Sequence, residues 1–504
     1  MLKTADIFQN GMVLQEGCPV RVFGTSDPDV NIHVTIQNHE AKTESDGSGK
    51  WMAVLPALCV SYAETLTITD GTDSIVFDDV QIGEVFLAGG QSNMEYLMGF
   101  DAEYERELKY LQESSDIRFY DVPEISYEGE EKDFDYSEYG KWRKCTKKDL
   151  EYFSAVPYYF LQVLHRNLNC PCAVVGCNWG GTRISCWMDE ETVRDNGGSV
   201  WLDEFEEKLL KINREKEAED YKGNPAVDPA DPLHNDFAKV MYPGLSWKTQ
   251  CDIMEAEGTL PETIIGDCHP WRPCGLYETM LKTIMPYTFK GVLFYQGESD
   301  EIHPEAYEGL LTALINLWRR DFLNEQLPFF VVQLAPFEAW FHGTGVRYPL
   351  IREAQYNVSK KLKNVYLASN GDAGMRYDIH PKYKRPVSER IGRLVLEYVY
   401  GRNVKADAPE MESVKKVSDR LYAIFFRYGE GLHIKGETLN AMRILDSSGK
   451  ELPYSIEIKD NHLYVHLEDP ACIQIQFAKT GYYEINLYND EGIPALPFMW
   501  KEKE

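Results

Sequence analysis

The sequence predicts an α/β core set between two smaller β modules, and three observations carry that expectation. Between about residues 81 and 403, short apolar runs alternate with stretches of helical periodicity, the pattern of a parallel sheet covered by helices. Before and after that span, apolar and polar residues alternate with period two, as in strands with one buried face. The length of 504 residues accommodates three domains at about 150 residues each.

Residues 1–80 predict a small β domain. Ile32, Val34 and Ile36 alternate with polar residues, as do Leu66 and Ile68, and SDGSGK supplies a turn. In the core, the runs Val85–Ala88, Ala173–Cys177, Val292–Tyr295, Phe329–Leu334 and Val365–Ala368 predict about five parallel strands with helices on both faces. Val387, Ile391, Leu394 and Tyr398 recur at helical spacing behind Pro386, which suits a first helical turn. Two stretches exceed a minimal α/β unit. Glu128–Tyr139 is acidic and aromatic. An insertion over about 189–275 holds the charged helical stretch LDEFEEKLLKINREKEAEDY and the breaker-rich NPAVDPADP. Both read as solvated surface, with a substrate wall or lid as the alternative. From 404 to 504 alternation returns at Leu463, Val465 and Leu467 and at Ile473, Ile475 and Phe477, predicting a second β domain, sandwich-like.

The net charge of −29 argues against nucleic acid and against an anionic membrane surface as partners. The first residues lack a basic start with an apolar core, and no run of about 18 apolar residues occurs, so a cytoplasmic location is the expectation. Eleven cysteines, an odd number, include Cys177 and Cys472 inside apolar runs, which suggests reduced, buried thiols. Cys170 with Cys172, and Cys268, His269 and Cys274, lack paired CxxC spacing, so no metal site is expected.

The chemistry centres on VFLAGGQSNME, residues 85–95. A buried strand followed by two glycines and a serine puts the Ser92 hydroxyl at the carboxyl end of a sheet strand, where open α/β sheets bind ligands. A serine needs a base, and the base needs an orienting acid. Asp378 and His380, in DIHP shortly after the last apolar run, supply such a pair.

GQSNM resembles the nucleophile block of SGNH-type esterases, in particular the sialate O-acetylesterase family and related carbohydrate acetylesterases. FQNGMVLQ, GSGKWMAVLP and DVQIGEVF near the start, and INLYNDEGIPALPF near the end, follow the same family's order. The resemblance implies an SGNH (flavodoxin-like) three-layer α/β/α domain over 81–403, flanked by the two β domains. It also implies a serine esterase that removes O-acetyl groups from sialic acids, 9-O-acetyl first among them, through an acetyl-enzyme and without a cofactor. The family carries its acid and base as DxxH; here the spacing is D-x-H, one residue shorter, which puts Asp378 more in question than His380. NWGGTRISCW resembles the second block and implies an oxyanion-hole N–H from Gly181, with Gly180 as the alternative, beside that of Ser92. YQGESD resembles the third block and implies that the Gln296 amide joins them. In some related acetylxylan esterases a glutamate of this block assists the histidine, so Glu298 shares the candidacy with Asp378. Arg183 in the second block, with Arg376, Lys382, Lys384 and Arg385 around the proposed base, suggests a basic rim for a sialic acid carboxylate. Two other readings stay open: an acetylxylan or other carbohydrate acetylesterase with the same catalytic residues, and a non-catalytic carbohydrate-binding protein. No GxGxxG or GxxxxGK[ST] suggests a nucleotide.

Overall fold

The computed structural model describes residues 1–222, 229–230, 265–340, 343–469 and 473–502. Its central sheet has six parallel strands in the spatial order Ser114–Asp121, Cys172–Asn178, Ser74–Gly90, Gly291–Tyr295, Phe329–Val332 and Val365–Ala368. Trp142–Cys145 closes one edge antiparallel to Ser114–Asp121. All five apolar runs expected as strands lie in this sheet. The sixth parallel strand, beyond the expected five, reads SSDIRFYD and has no apolar run. It is buried all the same, because Arg118 inside it donates to the carbonyls of Gly11 and Asp79 and pairs with the Asp79 carboxylate at 2.8 Å.

Helices cover both faces. Ala155–Leu168 packs with Arg385–Tyr398 on one side, and Pro304–Asp321 with Tyr348–Lys361 on the other. Alternation along the central strand explains the layering. Phe86 meets Phe160 edge-on at 5.0 Å, while a Cβ on Gly89 would stand 2.8 Å from the Trp318 ring.

The strand Ser74–Gly90 is 17 residues long. Its first part pairs with Ser61–Thr69 of the N-terminal module, its middle with Val13–Gln15, and its last part with the strands of the central sheet. The boundary expected at residue 80 therefore falls inside a strand. One apolar core runs from Leu2 to Ala406, and a separate one, between Tyr422 and Phe498, serves the C-terminal sheets. Those are a four-stranded antiparallel sheet (410–418, 421–427, 462–467, 454–459) and a three-stranded one (442–446, 473–477, 498–501).

The insertion differs from its reading as a single charged helix: Ser199–Leu209 and Arg214–Lys222 are separate. Glu130, in the acidic loop expected on the surface, is fully buried and accepts from Ser126 Oγ and from Tyr221 of the second helix at 3.0 and 3.1 Å. That hydrogen-bonded knot docks insertion and loop together. Cys177 is buried, as expected, while Cys472 and most of NPAVDPADP lie outside the described residues. Among the described residues no helix is long and apolar enough to cross a membrane.

Gly90 ends the central strand at φ +144, and a Cβ there would stand 2.0 Å from the Tyr295 carbonyl oxygen. Gly90→Ala should therefore force the two central strands apart and cost more than about 2 kcal/mol. Chemical denaturation of both proteins measures this, and equal stability would contradict it.

Candidate active site

Three loops at the carboxyl ends of the central strands converge on Ser92. Strands added after Ser74–Gly90 go first to one side of it and then to the other, so the crevice opens at its end. Gln91 is extended and Ser92 opens a four-residue helix, Ser92–Glu95. Gln91 anchors this turn: its side-chain oxygen accepts from the N–H groups of Gly297 and Ser299 and from Gln296 Nε2.

His380 Nε2 lies 2.9 Å from Ser92 Oγ, although 288 residues separate them. Asp378 Oδ1 lies 3.6 Å from His380 Nδ1 and accepts the His380 backbone N–H at 2.8 Å. That neighbour favours the proton on Nδ1, leaving Nε2 as the acceptor facing the serine. Trp340 meets the imidazole edge-on at 5.3 Å and Tyr96 stacks on it at 6.2 Å. Burial lowers the imidazole pKa, Asp378 pulls it back up, and Lys384 and Lys382 push it down again, for a net lowering. Burial alone would raise Asp378, but the His380 hydrogen bond and Lys382, 2.9 Å away, outweigh it and hold it at about 2. The pair thus presents an ionised acid and a neutral base near neutral pH.

Glu298, the competing acid, sits elsewhere in the same pocket. Its Oε1 accepts from Asn93 Nδ2 at 2.6 Å, and burial raises it to about 7.

The donors expected for an oxyanion sort themselves by what already occupies them. Gly180 packs against the buried Glu95 carboxyl, whose pKa burial raises to about 7 against the pull of the Gly180 N–H. Among the described residues neither the Ser92 nor the Gly181 N–H donates within the chain. Gly181 has φ +72 and lies under Trp271: a Cβ there would meet the indole at 2.2 Å, and the indole N–H donates to the Gly180 carbonyl at 2.9 Å. Gln296 departs from its expected part in the oxyanion hole. Its amide donates to Gln91, to the Thr182 carbonyl and to Asp300, while Tyr307 donates to its oxygen. It ties the three loops together.

The expected basic rim is also corrected. Lys384 is buried and donates to Asn93; Arg385 pairs with Glu103 and Glu107, Arg376 with Glu338, and Lys382 with Asp378. Arg183 is different. Its guanidinium stacks on Trp201 at 4.3 Å and, among the described residues, makes no ion pair, although through space it pulls down the Asp300 carboxyl that burial raises. It also depresses His269, which burial first lowers, to about 4, and His269 packs on Trp271 at 5.0 Å. Arg183, His269 and Trp271 thus form one wall running to Gly181. His269 entered the sequence reading only as a candidate metal ligand, and Trp271 and Trp201 not at all, because all three belong to the insertion and carry no spacing that ties them to the serine.

Residues 260–389, which include Gln296, Glu298, Asp378 and His380, match the family described as carbohydrate esterase, sialic acid-specific acetylesterase. The sialate O-acetylesterase of Mus musculus is 26% identical over 98% of this chain and 93% of its own. That of Homo sapiens is 23% identical over 98% and 92%. A carbohydrate acetylesterase from Xanthomonas citri shares the fold at a TM-score of 0.76, with 23% identity and 99% of both chains covered. Through the matched domain and relatives aligned over nearly its whole length, the chain is a carboxylic ester hydrolase that resembles the sialate O-acetylesterases.

Proposed function

We propose that the protein hydrolyses O-acetyl esters of sialic acids by a serine mechanism, with Ser92 as nucleophile, His380 as general base and Asp378 as its orienting acid. The observation that carries this reading is the 2.9 Å approach of His380 Nε2 to Ser92 Oγ at the mouth of the crevice. Ser92 Oγ attacks the acetyl carbonyl carbon as its proton passes to Nε2. The N–H groups of Ser92 and Gly181 receive the oxyanion. Collapse breaks the bond to the sugar oxygen, which takes the proton from His380. Water, deprotonated by the same imidazole, then attacks the acetyl-enzyme and releases acetate.

Arg183 favours an acidic sugar over a neutral one. A planar cation stacked on an indole and without a carboxylate partner among the described residues is set up to take a carboxylate in two charge-assisted hydrogen bonds. Within this reading the 9-O-acetyl ester is the preferred substrate, since C9 ends the flexible side chain of the sugar, away from the ring carboxylate.

Ser92→Ala should abolish acetate release from 9-O-acetylated sialic acid, losing at least about 10³-fold in kcat. Retained turnover would remove the scheme. For the parent enzyme, kcat/KM should fall as acid protonates His380, with a midpoint below the usual histidine value of about 6.5. A midpoint above 7 would assign the limb to another group. Arg183→Met should raise KM for the acetylated sialic acid by about 10-fold or more, the worth of a charged hydrogen bond. Acetylated xylo-oligosaccharide should be cleaved equally by both forms; parallel losses on the two substrates would argue for a neutral sugar.

A further inference from the structure

Asn93, the residue after the nucleophile, is connected to more of the site than its place in a four-residue helix requires. Its side chain is buried. Nδ2 donates to Glu298 Oε1 at 2.6 Å and to the Ile379 carbonyl at 3.0 Å, and Oδ1 accepts from Lys384 Nζ. One amide therefore touches the loop after the Gly291–Tyr295 strand, the peptide immediately before His380, and the residue that leads into the Arg385–Tyr398 helix.

The chemistry of the partners fixes which way this amide faces. An ammonium only donates and a peptide carbonyl only accepts, so Oδ1 must face Lys384 and Nδ2 must face Ile379. Reversing the amide would put oxygen against oxygen at Ile379. Lys384 is held for this purpose in an unusual place. It is 1% exposed, its ammonium lies 4.5 Å from the Tyr96 ring centre and 5.7 Å from that of Tyr295, and its backbone N–H donates to Asp101 at 3.0 Å. A buried lysine is costly unless its charge is compensated. Glu298 supplies the opposite charge across Asn93, and burial brings both groups to about 7 from opposite directions.

We propose that Asn93 is a positioning residue for the hydrolysis, its amide locked by Lys384 and Glu298 in the orientation that pins the Ile379 carbonyl and so holds His380 against Ser92. This rests on the reading of Ser92 and His380 as nucleophile and base. Glu298 then serves Asn93 and leaves the imidazole to Asp378.

Asn93→Asp is the decisive variant, because it keeps the shape and an acceptor for Lys384 but turns an oxygen toward the Ile379 carbonyl. Lys384→Met is the second, removing the donor at equal length. Each is assayed on 9-O-acetylated sialic acid, with active serines counted by a fluorophosphonate. The expected result for both is a kcat per titrated serine lower by about 10- to 100-fold with KM within about 2-fold, as for a misplaced base. The double variant should be no worse than the poorer single one. Glu298→Gln, which keeps an acceptor for Asn93 but removes the charge opposite Lys384, should lose no more than Lys384→Met does. An unchanged kcat per titrated serine in both Asn93→Asp and Lys384→Met, lost activity matched only by lost serines, or a 10³-fold loss in Glu298→Gln would each overturn the proposal. Failure of the underlying reading looks different: Ser92→Ala would still turn over and the fluorophosphonate would label another residue.

Discussion

The position of Ser92 depends on the hydrogen-bonded pairing that grips Ser74–Gly90 along its length. A strand paired on both sides has little freedom to slide, because each slip of one residue would turn its buried set to the opposite face. This strand is gripped by Ser61–Thr69 and Val13–Gln15 at one end and by Cys172–Asn178 and Gly291–Tyr295 at the other. Between the two regions Gln15 bonds both to the Glu84 carboxylate, at 2.7 Å, and to the Val85 N–H, at 2.8 Å. The N-terminal module is thus the near end of the beam that carries Ser92. Trp318 against Gly89 and the Tyr295 carbonyl against Gly90 leave room only for hydrogen at the far end, which sets the height at which the chain turns.

What surrounds the serine follows a consistent electrostatic logic. The chain carries a net charge of −29, and several of its carboxyl groups crowd the site. Glu95, Glu298 and Asp300 are buried deeply enough that desolvation lifts them to about 7, 7 and 6. Partly neutralised in this way, they act as hydrogen-bond partners for the loops and place less negative charge near a developing oxyanion than ordinary carboxylates would. Asp300 illustrates the use: it accepts the Ile184 N–H at 3.0 Å and the Gln296 amide, joining the loops after two strands. Asp378 is the exception, and two cationic or donating neighbours are required to keep it ionised.

The parts legible in the sequence are those whose signal is local. Apolar runs bounded by turns located five strands, and a serine after two glycines located the turn, since both patterns follow from burial and backbone sterics within a few residues. Ser114–Asp121 escaped because its burial rests on Arg118 finding carbonyls 39 and 107 residues away. Gln296 and Lys384 were misread for the same reason. A glutamine beside a catalytic loop and a lysine beside a histidine are chemically able to meet a substrate, and only the approach of three distant segments decides that both face inward. Spacing had made Asp378 the weaker member of its pair, yet its carboxylate accepts the His380 N–H two residues on, a turn that D-x-H allows and that brings Oδ1 to 3.6 Å from the ring.

The acidity of the chain bears on substrate choice less than its size suggests. Charges farther apart than about 8 Å at physiological ionic strength are largely screened, so a remote carboxylate on the surface does little to repel an anionic sugar already in the crevice. What counts is the charge within contact, and there the balance is set by pairing. The cations near His380 have donors committed to Glu103, Glu107, Glu338, Asp378 or Asn93. Arg183 is held on Trp201, which steadies the guanidinium plane, and makes no ion pair among the described residues. On the proposed reading, one stacked arginine is enough for an acidic protein to hold an acidic sugar, provided it lies on the wall that leads to the Ser92 and Gly181 N–H groups. The contact of Gly181 with Trp271, and of Trp271 with His269, supplies that continuity.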